Sequence, residues 1–415
     1  MSQLEVLNIM YDEMGGSNWN TDSWFENSDF CSFDGVTCDV NNEFVLNIEV
    51  SGFGLMRNII SEIALLPSLE ILDLSNNELT GQIPSEIFTL GILSELNLAN
   101  NDLSGSLPSS IDQLQSIDTI QLENNNLSDH IPSTIGNLID LTVLNLSYNS
   151  FSGTLPSIIL NIPSINVNGN RLSGSLDEVV ESFSQRALST STSSLVDFSI
   201  NGNLLTGTIP WTISVFSSLK TLEIGSNSLS GSIPTELASL SLLEVLYISE
   251  NVITGSIPSA IGFLDNLREL YLTDNKISGS IPNDLGNITV LEKIYLGKNK
   301  ITSTMPTGLF SLKSLSVLDL SENEIIGTLP SELGIFTSLK VLLCYENSIT
   351  GSIPTELANL TSLSYFHLGS NLLTGTLPET VVKSLTNLTV LDVASNGLTG
   401  TLSAEVTDIL TCKFN

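Results

Sequence analysis

An α/β solenoid with a parallel sheet along its concave side is the fold class that this chain predicts, and three observations predict it. First, a frame of about 24 residues is written roughly fifteen times along the 415 residues. Second, each copy carries an alternating apolar core, as in Leu72-Asp73-Leu74 and Leu222-Glu223-Ile224. That alternation marks a short strand with apolar residues inward and variable residues outward. Third, an Asn closes the frame at 77, 101, 125, 149, 170, 203, 227, 251, 275, 299, 323, 347, 371 and 396. A fixed period in this range describes stacked units that share one continuous core. Phe53 stands where the first, degenerate copy would place its Asn.

The parts of the frame follow from elementary chemistry. The Asn sits where the chain turns off the strand, and its buried amide can satisfy backbone groups of its own and neighbouring coils. The Gly that follows (Gly81, Gly105, Gly153, Gly231) suits a bend with positive φ, and the Pro of Ile/Leu-Pro fixes an extended exit. Written out, L-x-x-L-x-L-x-x-N-x-L-[ST]-G-x-[IL]-P resembles the plant-type leucine-rich repeat of receptor-like kinase ectodomains and polygalacturonase-inhibiting proteins. The resemblance covers residues 45–402 and implies a right-handed superhelical arch. A fold of this kind hosts many ligands, so function must be sought on its surface.

Residues 1–44 read as an N-terminal cap. Residues 2–14 form a short amphipathic helix ended by Gly15-Gly16, followed by Trp19, Trp24 and Cys31-Ser-Phe-Asp-Gly-Val-Thr-Cys38. This is similar to the C-x-W-x-G-V-x-C cap of the same family, with Phe33 in place of the usual Trp. The resemblance implies a disulfide between Cys31 and Cys38, the alternative being two free thiols in a reducing compartment. Cys344 falls at an inward strand position and is expected to be a small buried hydrophobe. Cys412 has no partner within reach, and residues 403–415 read as an incomplete C-terminal cap.

One interval breaks the period. Asn170 to Asn203 spans 33 residues and Asn149 to Asn170 only 21. The insertion, residues 177–194, reads as a helix over Asp177–Leu188 and a polar linker over Ser189–Ser194. Such an insertion is either a partner-binding island or a tolerated bulge on the convex side.

Composition limits the partners. With 45 acidic and 13 basic residues the net charge is −32, which argues against nucleic acid, anionic membranes and polyanionic glycans. The acidity suits an extracellular or cell-surface protein. The first fifteen residues do not read as a secretory signal, and no apolar run approaches the roughly 18 residues of a spanning helix. A signal and any membrane anchor would therefore lie outside this chain.

The outward strand positions are where a ligand would be read. Between the two strand leucines stand Glu223, Tyr247, Tyr271, Tyr295, Asp319, Leu343 and His367. Two residues beyond the second leucine stand Ser226, Glu250, Asp274, Lys298, Glu322 and Glu346. Tyr345, Tyr365 and Tyr148 also map outward, so only Tyr11 of the 7 tyrosines lies elsewhere, whereas none of the 15 phenylalanines faces this surface. A face both aromatic and wet suits recognition. Lys276, Lys293, Lys298 and Lys300 make a basic island beside Tyr271 and Tyr295; the alternative is that the tyrosines merely pack as strand neighbours.

No H-E-x-x-H, G-x-S-x-G or phosphate-loop motif occurs, and no cofactor is expected. Carboxylate pairs such as Glu250/Asp274 and Glu322/Glu346 arise by default from stacked strands, so catalysis and weak calcium binding are minor readings. The expected function is non-catalytic recognition of a protein, peptide or glycan by a receptor-like ectodomain. The alternatives are a secreted inhibitor of an extracellular hydrolase, and ice binding by the Ser/Thr-Gly-Ser/Thr flank (Thr206-Gly-Thr208, Thr374-Gly-Thr376, Thr399-Gly-Thr401).

Overall fold

Each coil makes three stops, and the sequence dictates each one. A three-residue strand comes first: in Thr221–Glu223 the central Leu222 is buried while both neighbours remain half exposed. After the Asn turn a second short strand forms on the flank, as in Ser348–Gly351. The Ile-Pro exit then leads into five residues of 3₁₀-helix, such as Thr235–Ser239. A 24-residue coil leaves too few residues on the far side for a full α-helix, and the tighter 3₁₀ geometry spans that distance in one short segment. The far side is therefore mostly 3₁₀ rather than α.

This computed structural model describes residues 1–21, 23–24, 29–187, 193–400 and 411–413. Two compact units divide the chain, Met1–Leu205 and Thr206–Asn415.

The first unit opens with helix α1 (Gln3–Glu13), started by a Ser2/Glu5 capping box. The chain leaves it through Gly15 at φ 84°. Behind α1 an aromatic row runs Tyr11–Trp19–Trp24–Phe33, with ring centroids 4.8–5.1 Å apart. Phe33 is buried and fills the plug position expected of it. Cys31 and Cys38 are disulfide-bonded, with Cα atoms 5.6 Å apart. Val36–Cys38 pairs antiparallel with Val45–Glu49, and within this unit the later strands from Ile71–Asp73 to Asp197–Ser199 join in parallel. This hairpin covers the first edge of the stack, which would otherwise expose unpaired backbone.

Irregular spacing never reaches the sheet. Val143 pairs with Ser164 and Ser164 with Asp197, so the register holds across the short coil and the long one. The extra residues are taken up by helix α2 (Leu176–Ala187), which replaces the 3₁₀ segment. Val180 and Phe183 of α2 are buried, and Arg186 donates to the Ser157 hydroxyl at 2.9 Å. Of the predicted insertion, Leu188 and residues 189–192 lie outside the described residues.

The second unit runs in unbroken parallel register from Thr221–Glu223 to Val390–Asp392, and Thr411–Lys413 adds one more parallel strand. The backbone of Cys412 thus lies opposite Leu391. Cys344 is fully buried, as its position in the frame implies, and burial pushes its thiol well above the usual range. Among the described residues, no helix is long and apolar enough to cross a membrane.

The frame Asn performs the role expected of it. Asn251 donates to Ile224 O of the preceding coil at 3.1 Å and to Ile248 O and Ser249 O of its own coil at 3.1 and 3.2 Å. Its Oδ1 accepts from the Leu229 amide at 2.8 Å. Phe53 cannot do this, but Asn77 of the next coil still donates to Val50 O of the Phe53 coil at 3.0 Å and accepts from Gly54 N and Leu55 N, both at 2.9 Å. On the flank the hydroxyls also work inward. Ser230 and Thr254 each donate at 3.0 Å to a Gly carbonyl of the coil before.

Replacing Asn251 by Ala strips the buried Leu229 amide of its acceptor and three carbonyls of a donor. The expected loss is about 2–4 kcal/mol, read from urea unfolding. An equal loss for the exposed Asn266→Ala would show that the ladder carries no special weight.

Candidate functional site

The parallel register of the second unit makes a column of the positions between the strand leucines. Glu223, Tyr247, Tyr271, Tyr295, Asp319, Leu343 and His367 lie directly opposite one another in successive strands. Parallel strands lie ~4.8 Å apart, so three tyrosines in one column must stack. Their centroids are 5.2 Å apart for Tyr247–Tyr271, tilted by 42°, and 4.8 Å for Tyr271–Tyr295, whose ring planes are nearly parallel at 11°. Burial, first of all, raises the phenol pKa of each, so the plate is neutral across ordinary pH.

Two devices fix the plate. Tyr271 donates its hydroxyl to Glu269 Oε2 at 2.6 Å, and Lys293 Nζ holds Glu269 Oε1 at 2.8 Å. Burial alone would raise the Glu269 pKa, but the bonds from Lys293 and Tyr271 together outweigh it and the carboxyl is lowered. At the other end, the Tyr247 ring lies across Gly225. A Cβ there would stand 2.2 Å from Tyr247 Cε1.

A second aromatic group follows Asp319 and Leu343. Tyr345 stacks on His367 at 4.2 Å and donates to Glu322 Oε1 at 3.1 Å. His367 Nε2 lies 3.4 Å from Asp392 Oδ2. Tyr365 and Glu346 are exposed beside this group. Asp392 lies opposite His367 and is the next member of the column, one coil beyond the outward residues read from the frame. An extra residue in the six-residue helix Glu379–Ser384 shifts the last strand by one position against the 24-residue count.

Two features of the face are not visible in the periodicity. Asp319 does not project toward a ligand. It is 7% exposed, and its Oδ1 accepts from Ser321 N at 3.0 Å and Ser321 Oγ at 2.6 Å. Asp73, Asn97, Asn145, Asn166 and Asp392 make the same bond to the amide two residues on. An Asp or Asn in this column forms an Asx turn that ends the strand, and residue type was the available signal. Burial raises the Asp319 pKa, and the Ser321 bonds oppose that rise.

The other column adopts left-handed backbone. Glu250, Asp274, Lys298, Glu322 and Glu346 have φ between 50° and 56°. L-residues other than Asn and Asp adopt this region at a cost of roughly 1–2 kcal/mol. In the first unit the equivalent slots hold Asn76, Asn100 and Asn124, which tolerate it. Glu250 accepts from Ser226 Oγ at 2.8 Å, and Lys298 lies 3.7 Å from Asp274. The basic island is therefore partly spent within the chain, since Lys293 and Lys298 each sit against a carboxylate. Among the described residues, no group of three or more His, Cys, Asp or Glu is placed to hold a metal ion.

Comparison with known proteins agrees with this architecture. The family descriptions that match are the leucine rich repeat at residues 67–127, 140–162, 217–277, 314–336 and 338–360, and the leucine rich repeat N-terminal domain at residues 2–39. A plant peptide hormone receptor, RGFR1, in complex with RGF2, superposes with a TM-score of 0.78 at 30% identity, over 92% of this chain and 68% of that one. This chain is a plant-type leucine-rich repeat protein. The crystal structure of a TDR receptor superposes on the repeat protein with a TM-score of 0.81 at 31% identity, over 88% of this chain and 62% of that one. Receptor-like protein 35 of Arabidopsis thaliana is 38% identical over 65 residues, 15% of the repeat protein and 7% of that relative. The chain thus spans a small part of the curated relatives' length.

Two outcomes are expected from this geometry. Gly225→Ala should push the Tyr247 ring off its seat at a cost of about 1–3 kcal/mol, seen as shifted ring resonances of Tyr247 and Tyr271 by NMR. Unchanged resonances would mean the ring does not rest there. For Asp319, a folded-state pKa above the unfolded one means the charged form is disfavoured in the fold. Stability is then lost as pH rises through that window. Asp319→Asn keeps the acceptor and removes the charge, so it should melt higher than wild type near neutral pH. That advantage should vanish as pH falls below the carboxylate range in thermal scans.

Proposed function

We propose that this protein is a non-catalytic recognition module. On this reading it binds a peptide or protein ligand on the main-sheet face between Glu223 and His367, in an extracellular or cell-surface setting. The Tyr247–Tyr271–Tyr295 plate carries the reading. Three large amphipathic rings are held half exposed on a rigid sheet, pinned by Glu269 and seated on Gly225. Rings immobilised before a ligand arrives lose little entropy on binding, and Tyr is enriched where binding energy concentrates. The similar structures include a plant peptide hormone receptor in complex with RGF2 and PEPR1 with AtPEP1, which supports a peptide as ligand. A receptor-like ectodomain and a secreted inhibitor would share this face.

The flank offers a second reading, in which the exposed pairs Thr254/Ser256, Ser278/Ser280, Thr302/Thr304 and Thr374/Thr376 present hydroxyls to an ice surface. The first member of each pair already donates to a Gly carbonyl, at 3.0 Å for Thr254 and 3.3 Å for Ser278. That internal role accounts for half the lattice without any ligand, so the tyrosine face is preferred.

The test is a displayed random-peptide library panned in parallel on wild type and on a Tyr247/Tyr271/Tyr295→Ala variant whose fold is checked by circular dichroism. Sequences enriched on wild type and lost on the variant are the expected result. Equal enrichment on both would remove the plate from the site, and thermal hysteresis in wild type would move the function to the flank.

A further inference from the structure

We infer that the segment this face takes is cationic and arginine-bearing, an extended peptide whose guanidinium groups meet the tyrosine plate and the carboxylates beside it. This rests on the reading of the face as a ligand platform and goes on to name the ligand's chemistry. Charge on this sheet face selects the ligand. Four basic side chains on or beside the face already sit against carboxylates. Arg268 pairs with Glu292 at 2.7 Å, Lys293 with Glu269 at 2.8 Å, Lys298 with Asp274 at 3.7 Å and Lys220 with Glu244 at 3.8 Å. Lys276 and Lys300 stay exposed outside these pairs, each directly after a frame Asn and off the outward strand columns; within those columns the pairs leave carboxylates. Glu250 is exposed and takes only a serine hydroxyl, Glu322 takes the Tyr345 hydroxyl, and Glu346 is exposed. An anionic or neutral segment would leave these carboxylates uncompensated on contact, whereas a cation meets them at once.

The aromatic component selects among cations. The rings of the plate are half buried and their hydroxyls stay protonated, so they offer π surface and acceptor oxygens without charge. The rings cover one another's faces, so a ligand meets their edges, their hydroxyl oxygens and the end of the stack. A guanidinium reaches these while pairing with a carboxylate through a planar fork, whereas an ammonium is a strongly hydrated point charge. Glu223 and Glu250 both lie near enough to Tyr247 to raise its pKa, after burial. Glu223 lies opposite Tyr247 in the adjacent strand and Glu250 follows Tyr247 three residues on, so one ring and two carboxylates share this end of the stack. Spacing favours an extended chain along the stack: two coils span ~9.6 Å at the usual strand separation. Three residues of polyproline II span about 9.3 Å, so every third side chain would meet an equivalent coil.

The experiment measures fluorescence anisotropy of labelled Arg-Pro-Pro, Lys-Pro-Pro and Glu-Pro-Pro repeat peptides of equal length on the full chain. The Arg peptide is expected to bind at least tenfold tighter than the Glu peptide and several-fold tighter than the Lys peptide. Glu250→Gln/Glu346→Gln and, separately, Tyr247→Leu/Tyr271→Leu should each weaken it tenfold or more. Glu236→Gln/Glu332→Gln removes the same charge from the far side of the coils and should leave binding unchanged. Equal loss in that control, or equal affinity for Arg and Lys peptides, would overturn the proposal by reducing it to bulk attraction to an acidic protein. Neutral peptides enriched from the library on the same tyrosines would also overturn it, while leaving the platform reading intact. No tyrosine-dependent binding in either experiment would end both.

Discussion

Everything in this molecule depends on one side-chain amide repeated coil after coil. Apart from Val45–Glu49, the described main-sheet strands are only three residues long, too short to hold the chain by their own ladders. Each coil must then turn inward, where an unpaired backbone group would cost as much as a lost hydrogen bond. An Asn at the turn resolves this by donating to two coils and accepting from a third group. The bond set seen for Asn251 recurs at Asn101, Asn149 and Asn371. Since each Asn reaches into the coil before it, no coil is complete alone. Stability is therefore a property of neighbours, as expected for a quasi-one-dimensional stack.

The strict in-register stacking that this produces also builds the candidate site. No loop or pocket brings Tyr247, Tyr271 and Tyr295 together; identical positions in adjacent coils are neighbours by construction. A plate of rings, a row of carboxylates or a charge ladder thus requires only the same residue type at the same slot. The left-handed slot beside the plate follows the same logic at some cost. It holds Asn76, Asn100 and Asn124, with Tyr148 and glycines, in the first unit. In the second, Glu250 to Glu346 are all charged between Ser226 and Ser370, so charge has been placed there where backbone preference would favour Asn or Gly.

Most of the architecture was legible because period is the strongest signal a sequence can carry. The apolar alternation placed the strands, the Asn placed the turns, and Gly15 and the Trp19/Trp24/Phe33 cluster placed the cap. The site was legible only as positions facing outward. Facing outward and being free are different things, and Asp319 shows why: its slot matches that of Tyr295, but a short carboxylate there folds back onto Ser321 N. Asp392 stands four residues before Asn396, as His367 does before Asn371, so its slot was legible from the frame Asn although the run of outward residues was ended at His367. The left-handed slot was missed because periodicity reports side-chain direction and carries no information on φ.

The length of a coil and the geometry of its strand face are uncoupled. Between Val143 and Asp197 one coil is shortened and the next accommodates α2, yet both neighbours pair residue for residue as elsewhere. Length variation is discharged on the far side, where a 3₁₀ segment can become an α-helix. The sheet therefore behaves as a ruler whose graduations survive insertion and deletion. A lineage can gain or lose segments on one side of such a protein while the spacing of its recognition surface is inherited unchanged.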